Sequence, residues 1–83
     1  MDIRELEELL RQGKVRPDWY SLDGKLIPDR MIIRQQEDGW HVFYFGDRGE
    51  MTNESIFGSE TEACKYLYNV LLDQHRKSNS PNS

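Results

Sequence analysis

The dipeptide Asp38-Gly39 limits what this chain can fold into more than any other feature. Before it runs Arg30-Met31-Ile32-Ile33-Arg34-Gln35-Gln36-Glu37, and after it Trp40-His41-Val42-Phe43-Tyr44-Phe45-Gly46-Asp47. Asp-Gly between two runs of β-branched and aromatic residues is the pattern of a tight antiparallel hairpin. A type I′ turn centred on Asp38 and Gly39 is expected, because both central residues then need positive φ, which Gly adopts freely and Asp tolerates. Alternation puts Trp40, Val42 and Tyr44 on one face of the second strand and His41, Phe43 and Phe45 on the other. Met31 and Ile33 share a face of the first strand, with Ile32 and Gln36 opposite. Neither face is polar throughout. Such a sheet needs helices on one side and a loop or a partner on the other.

The flanking segments supply the helices. Over Asp2 to Gln12, Ile3, Leu6, Leu9 and Leu10 fall on one helical face. Asp2 suits the N-cap, with Glu5 completing a capping-box pairing. Glu7 and Arg11 are spaced to pair on the exposed side, and Gly13 suits the left-handed position that ends a helix. Pro17 blocks helical continuation, and Asp18 to Leu22 reads as a short strand. Asp23-Gly24 marks a turn and Lys25 to Asp29 a loop, whose Leu26 and Ile27 are expected to cover the core. Beyond the turn Asp47-Arg48-Gly49-Glu50, a last strand runs from Met51 to Ile56 or Phe57, its polar middle marking an edge. Ser59 and Glu62 form a second capping box. Ala63, Tyr66, Leu67, Val70, Leu71 and Gln74 then repeat at three and four, in a helix ending near His75. The expected fold is a single α+β domain over residues 1–77, in the order α-β-β-β(-β)-α. An antiparallel three- or four-stranded sheet carries both terminal helices on one face, and 78–83 form a disordered polar tail.

Eighty-three residues bury only about 60–65% of the surface that the unfolded chain exposes, so the core is modest. No apolar run approaches the roughly 18 residues of a membrane span. The charged start, Met1-Asp2-Ile3-Arg4-Glu5, does not resemble a secretory signal, and the one cysteine cannot close an internal disulfide. A reducing, cytoplasmic setting follows as the expectation. The net charge is −4, and between Asp18 and Glu62 ten acidic side chains stand against four basic ones. That balance argues against nucleic acid, which is gripped by Lys and Arg. It suits a basic protein partner.

Catalytic and cofactor patterns are not found. Cys64 lies beside the apolar stripe of the second helix and reads as a small hydrophobe. His41 reads as an ordinary strand residue, and His75 as a group favoured by a helix C-terminus. One Cys and two distant His do not make a metal site. The turns at Asp23 and Asp47 lack the acid spacing of a calcium loop, and no phosphate-cradling glycine pattern is present. No enzymatic role, metal or cofactor is expected. The element order is also that of a double-stranded RNA-binding domain. Domains of that kind resemble one another in lysines at the start of the second helix, where this chain carries Ser59-Glu60-Thr61-Glu62.

Three segments carry a family resemblance. They are Asp18-Trp19-Tyr20-Ser21-Leu22-Asp23-Gly24, then Gly39-Trp40-His41-Val42-Phe43-Tyr44-Phe45-Gly46-Asp47-Arg48-Gly49, then Phe57-Gly58-Ser59-Glu60-Thr61-Glu62-Ala63-Cys64-Lys65-Tyr66-Leu67. Together they resemble small immunity proteins of bacterial polymorphic toxin systems, the antidotes encoded beside contact-dependent or secreted toxins. The resemblance implies a protein without activity of its own that binds one toxin domain and neutralises it. Many such toxins are nucleases with a basic substrate surface, toward which an acidic inhibitor is steered. Loops on a rigid sheet carry most recognition. The expected partner-binding residues are therefore Tyr20, Asp23 and Asp29, then Glu37 and Asp38 at the hairpin tip, and Asp47 and Glu50 at the next turn. The chain is expected to be a monomer or a weak homodimer, and the alternative function is a generic acidic protein-interaction or regulatory module, dimerising through the edge strand near Met51 to Ser55.

Overall fold

A computed structural model of the chain describes residues 1–79. Helix α1 (Ile3–Gln12) leads into a 3₁₀ turn at Pro17–Trp19 and the strands β1 (Tyr20–Ser21), β2 (Arg30–Gln36), β3 (Gly39–Phe45) and β4 (Met51–Phe57). Helix α2 (Glu60–Asn79) closes the order. The fold is α+β, as the sequence leads one to expect. Its sheet has the spatial order β1-β2-β3-β4 and is mostly antiparallel.

Both helices lie on the face that carries Met31, Ile33 and Val42. There Leu6 and Leu10 of α1, Val15, and Ala63, Cys64, Leu67 and Leu71 of α2 complete the core. The two helix N-termini meet: Glu60, in the first turn of α2, accepts a hydrogen bond from the Ile3 backbone N–H at 2.9 Å. One carboxylate thereby serves the positive ends of two helix dipoles. Asp2 caps α1 through Glu5 N–H (2.9 Å), and the Ser59 hydroxyl caps α2 through Glu62 N–H (3.2 Å).

Several local expectations are corrected. The hairpin turn sits one residue early. Gln36 pairs with Gly39, so the central residues are Glu37 and Asp38, and neither has positive φ. Gly39 alone does, at 135°, and a Cβ there would lie 2.5 Å from the Phe57 carbonyl oxygen. The glycine is needed for a close approach to β4 rather than for an I′ turn. The first strand is not antiparallel and is only two residues long. Asp18 and Trp19 belong to the 3₁₀ turn, where Pro17 presets φ. Tyr20 and Ser21 pair parallel with Met31 and Ile32. So brief a strand lets residues 22–29 bring the chain back, with left-handed residues at Gly24 (φ 82°) and Asp29 (φ 64°). Leu26 does not cover the core; it is 42% exposed. Helix α2 continues through Ser78 and Asn79, so these two are not part of a tail. Residues 80–83, the rest of the expected tail, lie outside the described residues.

The end of α1 differs in the same way. Gly13 has φ −79°, and the left-handed residue is Lys14 (φ 59°). Lys14 N–H reaches Arg11 O (3.1 Å) and Val15 N–H reaches Leu10 O (3.0 Å). This is the paired closure of a Schellman motif, with Val15 packed into the core behind it. A lysine pays a steric cost there that glycine does not. Lys14→Gly is expected to raise the unfolding free energy by about 1 kcal/mol, read by urea denaturation. Equal or lower stability would mean that the lysine side chain offsets the strain.

Candidate functional site

Among the described residues, neither helix packs on the face of the sheet opposite Met31, Ile33 and Val42. Ile32 and Phe43, cross-strand neighbours, form its buried floor. Which side chains of β4 join them is decided by a β-bulge. Val42 pairs with Ser55 and Tyr44 with Thr52, so Phe43 faces two residues, Asn53 and Glu54. Asn53 is left-handed at φ 55°, a backbone that asparagine tolerates. The extra residue shifts the alternation. Met51 pairs with Phe45 and Ile56 with His41, so both lie on the uncovered face although they stand five positions apart, an odd offset. Glu54 joins them there. Met51 and Ile56 are 50% and 52% exposed, and with Leu26 they are the large apolar side chains left most open to solvent among the described residues.

Toward the hairpin tip this face dips into an open concavity of ≈ 490 Å³, lined by Arg34, Gln36, Glu37, Asp38, His41, Phe43, Met51 and Glu54. His41 organises it. Its Nε2 lies 2.7 Å from Asp38 Oδ1 and its Nδ1 3.0 Å from Glu54 Oε2. The ring is 13% exposed, whereas the carboxylates are 64% and 42% exposed. The ring thus ties the hairpin tip to the edge strand from below, and both acids face water. Bonds to Glu54 and then Asp38 raise the His41 pKa above the ordinary 6.5. The same bond to His41 is the first cause that lowers Asp38 below 3.8. Arg34, on β2, shares the concavity without a carboxylate partner among the described residues. No group of His, Cys, Asp and Glu among the described residues is arranged to hold a metal ion.

The sign of the pH effect follows from those directions. A raised histidine pKa gives stability that is complete below about 6.5 and is lost as pH rises through the folded value. The lowered Asp38 gives stability that is present above about 3.8 and is lost as pH falls through its own folded value. Wild type should therefore exceed His41→Gln in melting temperature by most between these limits, and the gap should narrow as pH rises above 6.5. A gap that is flat or widening toward alkaline pH would contradict the clamp.

The seven residues expected from the sequence do not form one patch. Glu37 and Asp38 lie at the hairpin tip and line the concavity. Asp29, Asp47 and Glu50 lie at the other end of β2 and β3, about 20 Å away for a seven-residue strand. There Asp29 accepts a bond from the Tyr44 hydroxyl (3.1 Å). Partial desolvation, then Asp29, and then the charges of Asp47 and Glu50 raise the Tyr44 pKa. Glu50 folds back on its own turn and takes Arg48 N–H at 3.1 Å. Asp23 is exposed beside β1. Its carboxylate is held low first by Lys25 N–H and then by the Ser21 hydroxyl, as a turn residue of local purpose. Tyr20 is half-buried on the helix side, where burial and then Glu7 raise its pKa.

No family model, characterised protein or solved structure matches this chain. What the surface can do follows from its geometry. Arg34, Gln36, His41, Phe43, Met51 and Glu54 are the members that the sequence alone did not single out. One signal for them was present: Met51 and Ile56 stand five apart in one strand, an odd offset, with an Asn between. That is the pattern of a phase slip in β4. Cys64 plays no part, since it is buried on the core side of α2 and burial pushes its thiol up to about 11. Among the described residues no helix is long and apolar enough to cross a membrane.

Proposed function

We propose that this chain is a protein-binding inhibitor, an immunity protein that neutralises a bacterial toxin domain by covering a basic surface on it. The observation that supports this reading is the uncovered sheet face. It offers apolar Met51 and Ile56 over the floor of Ile32 and Phe43, with Glu37, Asp38 and Glu54 around them. An apolar centre with a charged rim is how protein interfaces are built. The acidic rim and the net charge of −4 favour a basic partner and speed encounter with it. The inhibitor needs no catalytic group of its own.

The test is a pull-down with tagged protein from its native cell, followed by mass spectrometry and a growth assay. The expected result is one stoichiometric partner that arrests growth when expressed alone and is harmless when co-expressed with this chain. Several unrelated proteins, or none, would overturn the reading. A second reading rests on β4, an edge strand largely exposed along its length. Its pairing with a second copy would make the chain a homodimeric interaction module. Sedimentation equilibrium separates the two, since the inhibitor reading expects a free monomer.

A further inference from the structure

We infer that the concavity beside the hairpin tip seats a basic side chain, arginine or lysine, of the partner, and that the proton on His41 competes with it. This rests on the protein-binding reading above and names the chemistry that its surface would recognise. The walls fit such a guest. Met51, half exposed above the buried ring of Phe43, gives apolar contact for an aliphatic stem. Glu37, Asp38 and Glu54 stand at the mouth, and Asp38 and Glu54 each commit one oxygen to His41. Their second oxygens are free to take a guanidinium or an ammonium.

The competition follows from the imidazole. A protonated ring has two N–H groups and serves both carboxylates. A neutral ring has one and serves only one, so the other carboxylate then faces a lone pair. A cation from the partner is the natural replacement. Every charged group that lines the site enters this balance: Arg34 from β2, Glu37 and Asp38 from the turn, His41 from β3 and Glu54 from β4. Three carboxylates against Arg34 leave −2, which a proton on His41 cuts to −1. Seating of a second cation therefore expels that proton, and affinity rises with pH. By reciprocity, a bound cation makes His41 easier to deprotonate.

The experiment titrates the ¹⁵N-labelled full chain with N-acetyl-arginine methylamide and with its neutral citrulline counterpart, at about pH 6 and pH 8, following amide shifts. Expected are shifts centred on Asp38, His41, Phe43, Met51 and Glu54. The arginine probe should bind about two- to fivefold more tightly at the higher pH, the scale of one exposed charge interaction. The citrulline probe should give no such shifts. His41 should titrate at lower pH with the arginine probe bound. His41→Gln should remove the pH dependence, and Glu54→Gln should weaken binding at both pH values. Equal response to citrulline, shifts centred on Asp47 and Glu50, or affinity that is flat or falling with pH would each overturn the site. A growth-arresting partner in the pull-down, made harmless by this chain, alongside such a result would leave the inhibitor reading standing without this pocket.

Discussion

Replacing Phe43 by alanine should lower the unfolding free energy by about 3–5 kcal/mol, the cost of emptying an aromatic site in a packed interior. Phe43 is the largest of the fully buried side chains, at 1% exposure, yet it points away from both helices. It packs cross-strand against Ile32, itself fully buried, and sits opposite the two bulge residues of β4. A domain of this length has about 4–12 kcal/mol of stability in total, so the loss would be a large share of it. Urea unfolding of Phe43→Ala beside Leu67→Ala, a helix-side truncation in the main core, makes the comparison. Similar losses would mean that the uncovered face is a second packed layer and a rigid platform. A loss below about 1 kcal/mol for Phe43 alone would mean that the layer relaxes around the gap, and a surface that soft would not hold a preformed concavity.

How the chain announces its fold is clearest where local chemistry and burial agree. The stripes of α1 and α2, the caps at Asp2 and Ser59, and the division of β3 into Val42 and Phe43 faces each follow from spacing alone. That the second face carries apolar side chains as well was legible for the same reason. What sequence did not show depended on contacts between distant segments. Asp38-Gly39 carries a strong local turn preference. Yet the turn forms at Glu37 and Asp38, and Gly39 lies in β3 where it passes close to the Phe57 carbonyl of β4, a non-local contact that the dipeptide does not report. The parallel pairing of Tyr20 and Ser21 comes with a contact from Arg30. Its guanidinium reaches back to the Pro17 and Tyr20 carbonyls at 3.3 and 3.4 Å, and no periodicity reports that. For the candidate site, picking acids at loop ends found Glu37 and Asp38 but joined them to acids at the far end of the sheet. Glu54 was missed because simple alternation from Met51 puts its side chain on the helix side. Only the left-handed Asn53 turns it toward His41, and a histidine between two carboxylates differs from an ordinary strand residue only when the register is known.

The separation of the acids into two ends of the sheet allows a decisive pair of charge reversals. Asp38→Lys with Glu54→Lys would put two cations on the concavity, and there the inhibitor reading expects affinity for the captured partner to fall by at least about a hundredfold. Asp47→Lys with Glu50→Lys makes the same change in net charge at the opposite end, where Glu50 serves its own turn. It should slow association in a salt-dependent way, by about tenfold or less, because a remote charge acts mainly on encounter. Association and dissociation rates, measured at two salt concentrations, separate the effects. The concavity pair should raise the dissociation rate and the remote pair should not. Equal losses from both pairs, with dissociation unchanged, would mean that the acidic charge only steers and that contact is made elsewhere. A larger loss from the remote pair would move the binding surface to the end where Asp29 meets Tyr44. In either case His41 would be left as a clamp that holds the hairpin to the edge strand and takes no part in recognition.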